Sequence, residues 1–213
     1  MILETLSLGP LQTNCYIVAA GPEQQAAVID PGDEVERVQD TLLKHALTVK
    51  FILLTHYHFD HTGAVLVLRQ ATGAEVCIHE REAASLADPP VIFRLFAPGG
   101  VEPITADRQL GDNEVLDLGE LSLTCLPTPG HSPGGLSFYS PSAGVVFSGD
   151  ALFAGGIGRT DFPGSSFQTL AQAIRERLYT LPPETVVYPG HGPHTTIGAE
   201  RRSNPFVRPQ GRA

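Results

Sequence analysis

Residues 51–61 read Phe51-Ile52-Leu53-Leu54-Thr55-His56-Tyr57-His58-Phe59-Asp60-His61. Four apolar residues in a row, bounded by a polar turn, read as a short interior strand. The run stops abruptly in a segment that gathers three histidines and an acid. Histidines two residues apart on extended backbone point to the same side, so His56 and His58 can reach one cation about 2.0–2.1 Å away. Asp60 and His61 lie at the turn into the next helix, read over 62–71, where the chain has rotated. They suit a second cation.

The same ending recurs along the chain. Ala27-Val28-Ile29 stops at Asp30, Val145-Val146-Phe147 leads to Asp150, and Val186-Val187-Tyr188 leads to His191. Buried strands that all stop this way deliver their polar residues to one rim, which in mixed α/β folds is where ligands bind. Around them the periodicity predicts a β meander over residues 4–29, broken at Gly9-Pro10, then a helix over 33–46 on Val35, Val38, Leu42 and Ala46. A strand over 75–79 follows. Residues 88–103, rich in Pro and Gly and carrying Phe93 and Phe96, read as a long loop that covers a site or packs down. Alternation from Val115 to Cys125, strands over 135–139 and 144–147, a long amphipathic helix over 167–178 and a strand over 185–188 complete the α/β pattern. No low-complexity linker interrupts it, so residues 1–213 are read as one domain.

Composition narrows the function. The chain of 213 residues is 42% hydrophobic and 17% charged, enough to bury a sizeable core. Its net charge of -9, from 14 Lys plus Arg against 23 Asp plus Glu, argues against a nucleic-acid partner and against phosphodiester cleavage of RNA. No run is long and apolar enough to span a membrane, and the start Met1-Ile2-Leu3-Glu4 carries no export signal. Three widely spaced cysteines, Cys15, Cys77 and Cys125, form no disulfide framework, and a reducing cytoplasm is expected.

Each cation would be short of ligands from residues 56–61 alone. His131, Asp150 and His191 sit on other strand-end turns and supply the rest. The reading places His56, His58 and His131 on the first metal, Asp60, His61 and His191 on the second, and Asp150 between them as a bridge. Nitrogen and oxygen donors without a thiolate suit zinc, iron or manganese, and affinity order does not choose among them. Two divalent ions, zinc first among them, are expected. His45, His79 and His194 share no motif and are read as structural.

The HxHxDH string of residues 56–61, Gly130-His131-Ser132-Pro133-Gly134, Gly149-Asp150 and Gly190-His191-Gly192 together resemble the metallo-β-lactamase superfamily. The resemblance spans nearly the whole chain. It implies a four-layer αββα sandwich with a dinuclear site at the edge of two sheets, on the same seven ligands. Gly149-Asp150-Ala151-Leu152-Phe153, Gly158-Arg159-Thr160-Asp161 and Asn204-Pro205-Phe206 are similar to the glyoxalase II group, the hydroxyacylglutathione hydrolases, in its short single-domain members. Members of the superfamily that cleave β-lactams commonly carry a cysteine where Asp150 stands, and flavodiiron proteins a glutamate at the place of His58. Arg159 takes the place of a basic substrate contact, or else pairs with Asp161, which stands where an aromatic residue is usual.

That resemblance implies a small-molecule thioester substrate such as S-lactoylglutathione, in a monomer or homodimer. Metal ions lower the pKa of bound water from 15.7 toward about 7, so hydroxide is available at neutral pH, with Asp60 orienting it. A thiolate leaving group, with a pKa of about 8.5, scarcely needs a general acid. The alternative is a mononuclear iron dioxygenase acting on glutathione persulfide, with His56, His131 and Asp150 as its triad. Sulfur dioxygenases share an Arg-Thr-Asp-Phe like residues 159–162.

Overall fold

The computed structural model describes residues 1–21, 24–97 and 100–208, with backbone alone at 94–96. Within them the apolar runs pair into two main sheets. The first places β1 (Ile2–Leu8), β2 (Thr13–Ala19), β3 (Gln25–Ile29), β4 (Thr48–Leu53), β5 (Glu75–His79) and β6 (Arg108–Leu110) side by side. Strands β1 to β3 are the expected antiparallel meander, and β3 to β6 run parallel. The second begins with β7 (Val115–Asp117), β8 (Ser122–Pro127), β9 (Leu136–Ser140) and β10 (Val145–Gly149). A small hairpin of β11 (Leu152–Phe153) and β12 (Gly156–Ile157) follows, and β13 (Val186–Pro189) and β14 (Thr195–Thr196) then complete that sheet beyond β10.

Parallel strands need crossovers, and these supply the outer layers. They are α1 (Val35–Lys44), α2 (Phe59–Thr62), α3 (Val65–Thr72), α4 (Glu80–Ala87), α5 (Val91–Phe96) and α6 (Phe167–Ala173), and α7 (Ile197–Ser203) joins them after the last strand. Strand residues alternate between faces, so each apolar run feeds two cores. Ile17, Val28, Ile52 and Val76 pack outward against Val38, Leu42, Val65 and Leu68 of the helices. Val18, Ile29, Leu53 and Cys77 turn inward against Leu123, Cys125, Phe138 and Phe147 of the second sheet. On the far side Val146 and Val187 meet Leu170, Ile174 and Ile197. Three cores between four layers make the αββα sandwich.

Two expectations need correction. Residues 88–103 are not all loop: α5 begins at Val91, with Phe93 N–H donating to Pro90 O at 3.0 Å and Ala97 N–H to Phe93 O at 3.0 Å. Pro90 fixes the extended residue ahead of the first turn, so this proline starts a helix rather than excluding one. Residues 98 and 99 and the Phe96 side chain of that stretch lie outside the described residues. The helix expected over 62–71 starts at Val65 as α3, and a separate short turn, α2, precedes it and ends at Thr62. Between them Ala64 N–H donates to Pro31 O at 3.0 Å, and the backbones at 32 and 63 pass so close that a Cβ on Gly32 would lie 1.8 Å from Asp60 O and one on Gly63 2.2 Å from Gly32 O. Elements too short to show periodicity, β6, β14 and α7 among them, escaped the sequence reading.

Candidate metal centre

Strands β3, β4, β8, β10 and β13 all release their chain at one edge of the sandwich. Asp30 follows β3, His56 and His58 follow β4, Asp60 and His61 open α2, His131 follows β8, Asp150 follows β10 and His191 follows β13. The expected rim exists, and it brings together all seven residues read as ligands. Arg159 does not join them through its side chain.

Three overlapping groups each place one donor atom per residue within 4.8 Å of one another: His56, His58 and His131; His56, His61 and Asp150; and Asp60, His61 and His191. In the first, His58 Nδ1 lies 3.0 Å from both His56 Nε2 and His131 Nε2. In the last, Asp60 Oδ2 lies 3.4 Å from His61 Nε2 and 3.3 Å from His191 Nε2. Asp150 stands between: Oδ2 is 3.5 Å from His131 Nε2 and 3.6 Å from His191 Nε2, while Oδ1 is 3.5 Å from His61 Nε2. Among the described residues, His61 Nε2 and Asp150 Oδ1 have no hydrogen-bond partner although both are buried. A buried polar atom left unpaired costs about 1–3 kcal/mol, so two of them aimed into one space fit a bound cation. The donor set, all imidazole and carboxylate, suits a dinuclear centre.

For His56, His61, His131 and His191 the opposite ring nitrogen is occupied, which directs the imidazole. His56 Nδ1 meets Thr55 Oγ1 at 3.0 Å, and that hydroxyl donates to Asp30 Oδ2 at 2.7 Å. His61 Nδ1 lies 2.9 Å from the same Asp30 oxygen. His131 Nδ1 reaches Arg159 O at 2.8 Å, and His191 Nδ1 reaches Leu11 O at 3.2 Å. Close approach of the backbone is also required: a Cβ on Gly190 would lie 2.2 Å from Asp150 Oδ1.

Electrostatics divide the site. Burial, reinforced by neighbouring imidazoles, pulls His56 and His58 well below the usual histidine pKa, and burial lowers His131 too. Neutral rings offer the lone pairs that metal binding needs. Burial also opposes charge on His61, but Asp60, Asp30 and Asp150 outweigh it and push its pKa up to about 10. Burial acts to raise Asp60, yet His61, His191 and Thr13 hold its carboxyl well below the usual carboxylate range. His191 is raised, burial being outweighed by Asp60 and Asp150. Positive charge is thus favoured on the Asp60 side.

Several supporting residues were missed by sequence reasoning. Asp30 was noted at a strand end, but its bond to His61 was not foreseen. Thr13 Oγ1 donates to Asp60 Oδ2 at 2.9 Å. Asn14 Nδ2 donates to Pro189 O and Gly192 O at 3.0 and 2.9 Å, and Tyr16 OH to Pro189 O at 2.6 Å, so β2 grips the His191 turn. Their signal was faint: polar side chains in an otherwise apolar strand. Arg159 pairs with Asp161 through two contacts of 2.7 Å, lies 4.0 Å over the Phe162 ring, and keeps a side chain 58% exposed. Next to the first histidine group, Phe93 and Phe162 lie 4.6 and 5.6 Å from the His58 ring and make an apolar wall. The three remaining histidines stay outside. His45 pairs with Glu4, His79 accepts from Arg81 N–H to cap α4, and His194 packs on Tyr188.

Comparison with known proteins is consistent with this geometry. The sequence profile described as "Metallo-beta-lactamase superfamily" matches residues 8–191. The "Probable metallo-hydrolase YqgX" of Bacillus subtilis is 40% identical over 203 residues, covering 95% of each chain. The "Hydroxyacylglutathione hydrolase GloC" of Haemophilus influenzae is 38% identical over 209 residues, 97% of this chain and 98% of that one. Among solved structures, the BLEG-1 B3 metallo-beta-lactamase superposes with a TM-score of 0.90 at 39% identity, covering 97% and 99% of the two chains. TTHA1623 in a di-iron-bound form superposes with a TM-score of 0.87 at 40% identity, covering 96% and 100%.

Proposed function

Because this chain belongs to the metallo-beta-lactamase superfamily, we propose that it is a dinuclear thioester hydrolase acting on a substrate of the S-lactoylglutathione kind. The position of Asp150, with one carboxylate within 3.6 Å of histidine nitrogens from both triads, carries the reading. His56, His58 and His131 would hold one cation, Asp60, His61 and His191 the other, and Asp150 would bridge them. Zinc is the first choice for both, and iron and manganese suit the same donors. When bound, such ions supply Lewis acidity, which makes water acidic enough to yield hydroxide near neutral pH and polarises a carbonyl.

The protein's own contribution is orientation and charge. Thr13 fixes Oδ2 of Asp60 at 2.9 Å, and the carboxylate remains ionised as an acceptor that orients the attacking water. Phe93 and Phe162 limit water around His58 and give the substrate an apolar surface. A departing thiolate, with a pKa of about 8.5, leaves without a general acid, whereas the amine of a β-lactam would need a proton. This favours a thioester over an amide. Arg159 is a substrate contact only if the substrate displaces Asp161 from it. The chain acts on a small molecule, with no nucleic-acid or membrane partner, in the cytoplasm; three widely spaced cysteines with no disulfide framework suit a reducing compartment.

The test joins elemental analysis of the purified protein to assays of S-lactoylglutathione, glutathione persulfide and a β-lactam, with and without oxygen. About two cations per chain and oxygen-independent thioester hydrolysis are expected. One iron per chain with oxygen uptake on glutathione persulfide would overturn the reading in favour of a dioxygenase, and preferential β-lactam cleavage would overturn the substrate class.

A further inference from the structure

Glu82 is a carboxylic acid in α4 with 0% exposure, and none of the metal chemistry above uses it. Burying a carboxylate is costly unless hydrogen bonds satisfy it. Here the bonds come from two distant segments. Oε2 accepts from Tyr57 N–H at 3.1 Å, and Oε1 accepts from Gly134 N–H. Tyr57 is the residue between His56 and His58, and Gly134 follows His131 by three. One side chain therefore holds both segments that carry the first histidine triad. The contact needs the glycine, since a Cβ at position 134 would lie 2.9 Å from both Arg81 Cβ and His79 Nδ1 and 3.0 Å from Glu82 Cγ. A backbone bond from Leu136 N–H to Thr55 O at 2.8 Å ties the same segments further back. The second triad is supported from elsewhere, by Thr13 on Asp60 and by Asn14 and Tyr16 on the backbone either side of His191.

We infer that Glu82 is a positioning residue for one cation of the pair: its two oxygens set the separation of the His56–His58 segment from the His131 turn, and with it affinity at the first triad alone. The inference rests on the two-cation reading given above. A carboxylate accepts both N–H groups at once, whereas an amide has one oxygen to offer and presents NH₂ to the other donor. Glu82→Gln keeps the shape and loses one bond. Glu82→Asp keeps the charge but is one methylene short of spanning both.

The test is chelator-competition titration with zinc or cobalt on the full chain, beside circular dichroism and a melting curve. In Glu82→Gln and Glu82→Asp one cation should bind as in the parent and the other about 10- to 100-fold more weakly, the range typical of lost outer-sphere support. Double variants assign the effect. Adding Glu82→Gln to His191→Ala should weaken the remaining cation at least tenfold, while adding it to His131→Ala should leave affinity within about twofold. Equal weakening in both backgrounds, or none in either, overturns the inference. If the parent binds one cation only, the dinuclear reading fails, and the inference about Glu82 then stands or falls on whether Glu82→Gln weakens that one. Should Glu82→Gln fail to fold, Glu82→Asp in the same two backgrounds gives the same decision.

Discussion

At the scale of single residues, Asp150 has the most demanding position, because its two oxygens face His61, His131 and His191 at 3.5–3.6 Å. Asp150→Ala is expected to lower bound metal at both positions and to abolish hydrolysis, read by elemental analysis beside turnover. Two tightly held cations with ordinary turnover would remove the bridging role. Asp60 differs, since orienting water needs its charge more than metal retention does. Asp60→Asn should keep much of the metal and slow turnover about 100-fold or more; an unchanged rate would take Asp60 out of the chemistry. All seven of these ligand candidates were readable from spacing and strand-end position. Asp30 was visible as a strand-end acid, but not its role, because a bond to His61 across 31 residues depends on how β3 and β4 pair.

At the scale of elements, strand β2 supports a site to which it contributes no ligand. Asn14 Nδ2 holds Pro189 O and Gly192 O from opposite sides of His191. Asn14→Ala removes both bonds while Pro189 O keeps Tyr16 OH, and at about 0.5–1.5 kcal/mol per bond a loss of about 1–3 kcal/mol is expected by urea denaturation, together with weaker cation binding in the second triad. Stability and metal affinity equal to the parent would show that this grip contributes nothing. Long elements were legible because three or four turns of helix, or a run of alternating strand, repeat their period often enough to be seen. The helix expected over 167–178 illustrates the limit: Phe167–Ala173 is α-helical, but Ile174–Leu178 widens into a π turn, with Tyr179 N–H reaching Ile174 O at 2.8 Å. Tyr179 OH then donates to Val207 O at 2.9 Å and to Glu200 O at 3.2 Å, so tertiary bonds coincide with the local winding.

At the scale of the whole molecule, the three cores lie between layers and the ligands lie at their edge, so chemistry and stability are separable. The thiols report on the cores. Cys15, Cys77 and Cys125 are each 0% exposed, and burial pushes the Cys125 thiol up to about 12 and the other two above the usual range. A thiol reagent at pH 8 should label none of them rapidly in the native protein and all three after unfolding in guanidinium; fast native labelling would contradict the packing. Within one polypeptide, apolar period and donor spacing are local properties, and they alone determined the α/β class, the strand-end rim and the residue types able to hold metal. Which nitrogens face each other across the site, that Asp150 lies between two triads, and that Glu82 and Asn14 hold ligand-bearing turns were decided only by the tertiary structure. The reason is physical: each depends on distances between residues far apart in sequence, and these exist only once two sheets have packed face to face.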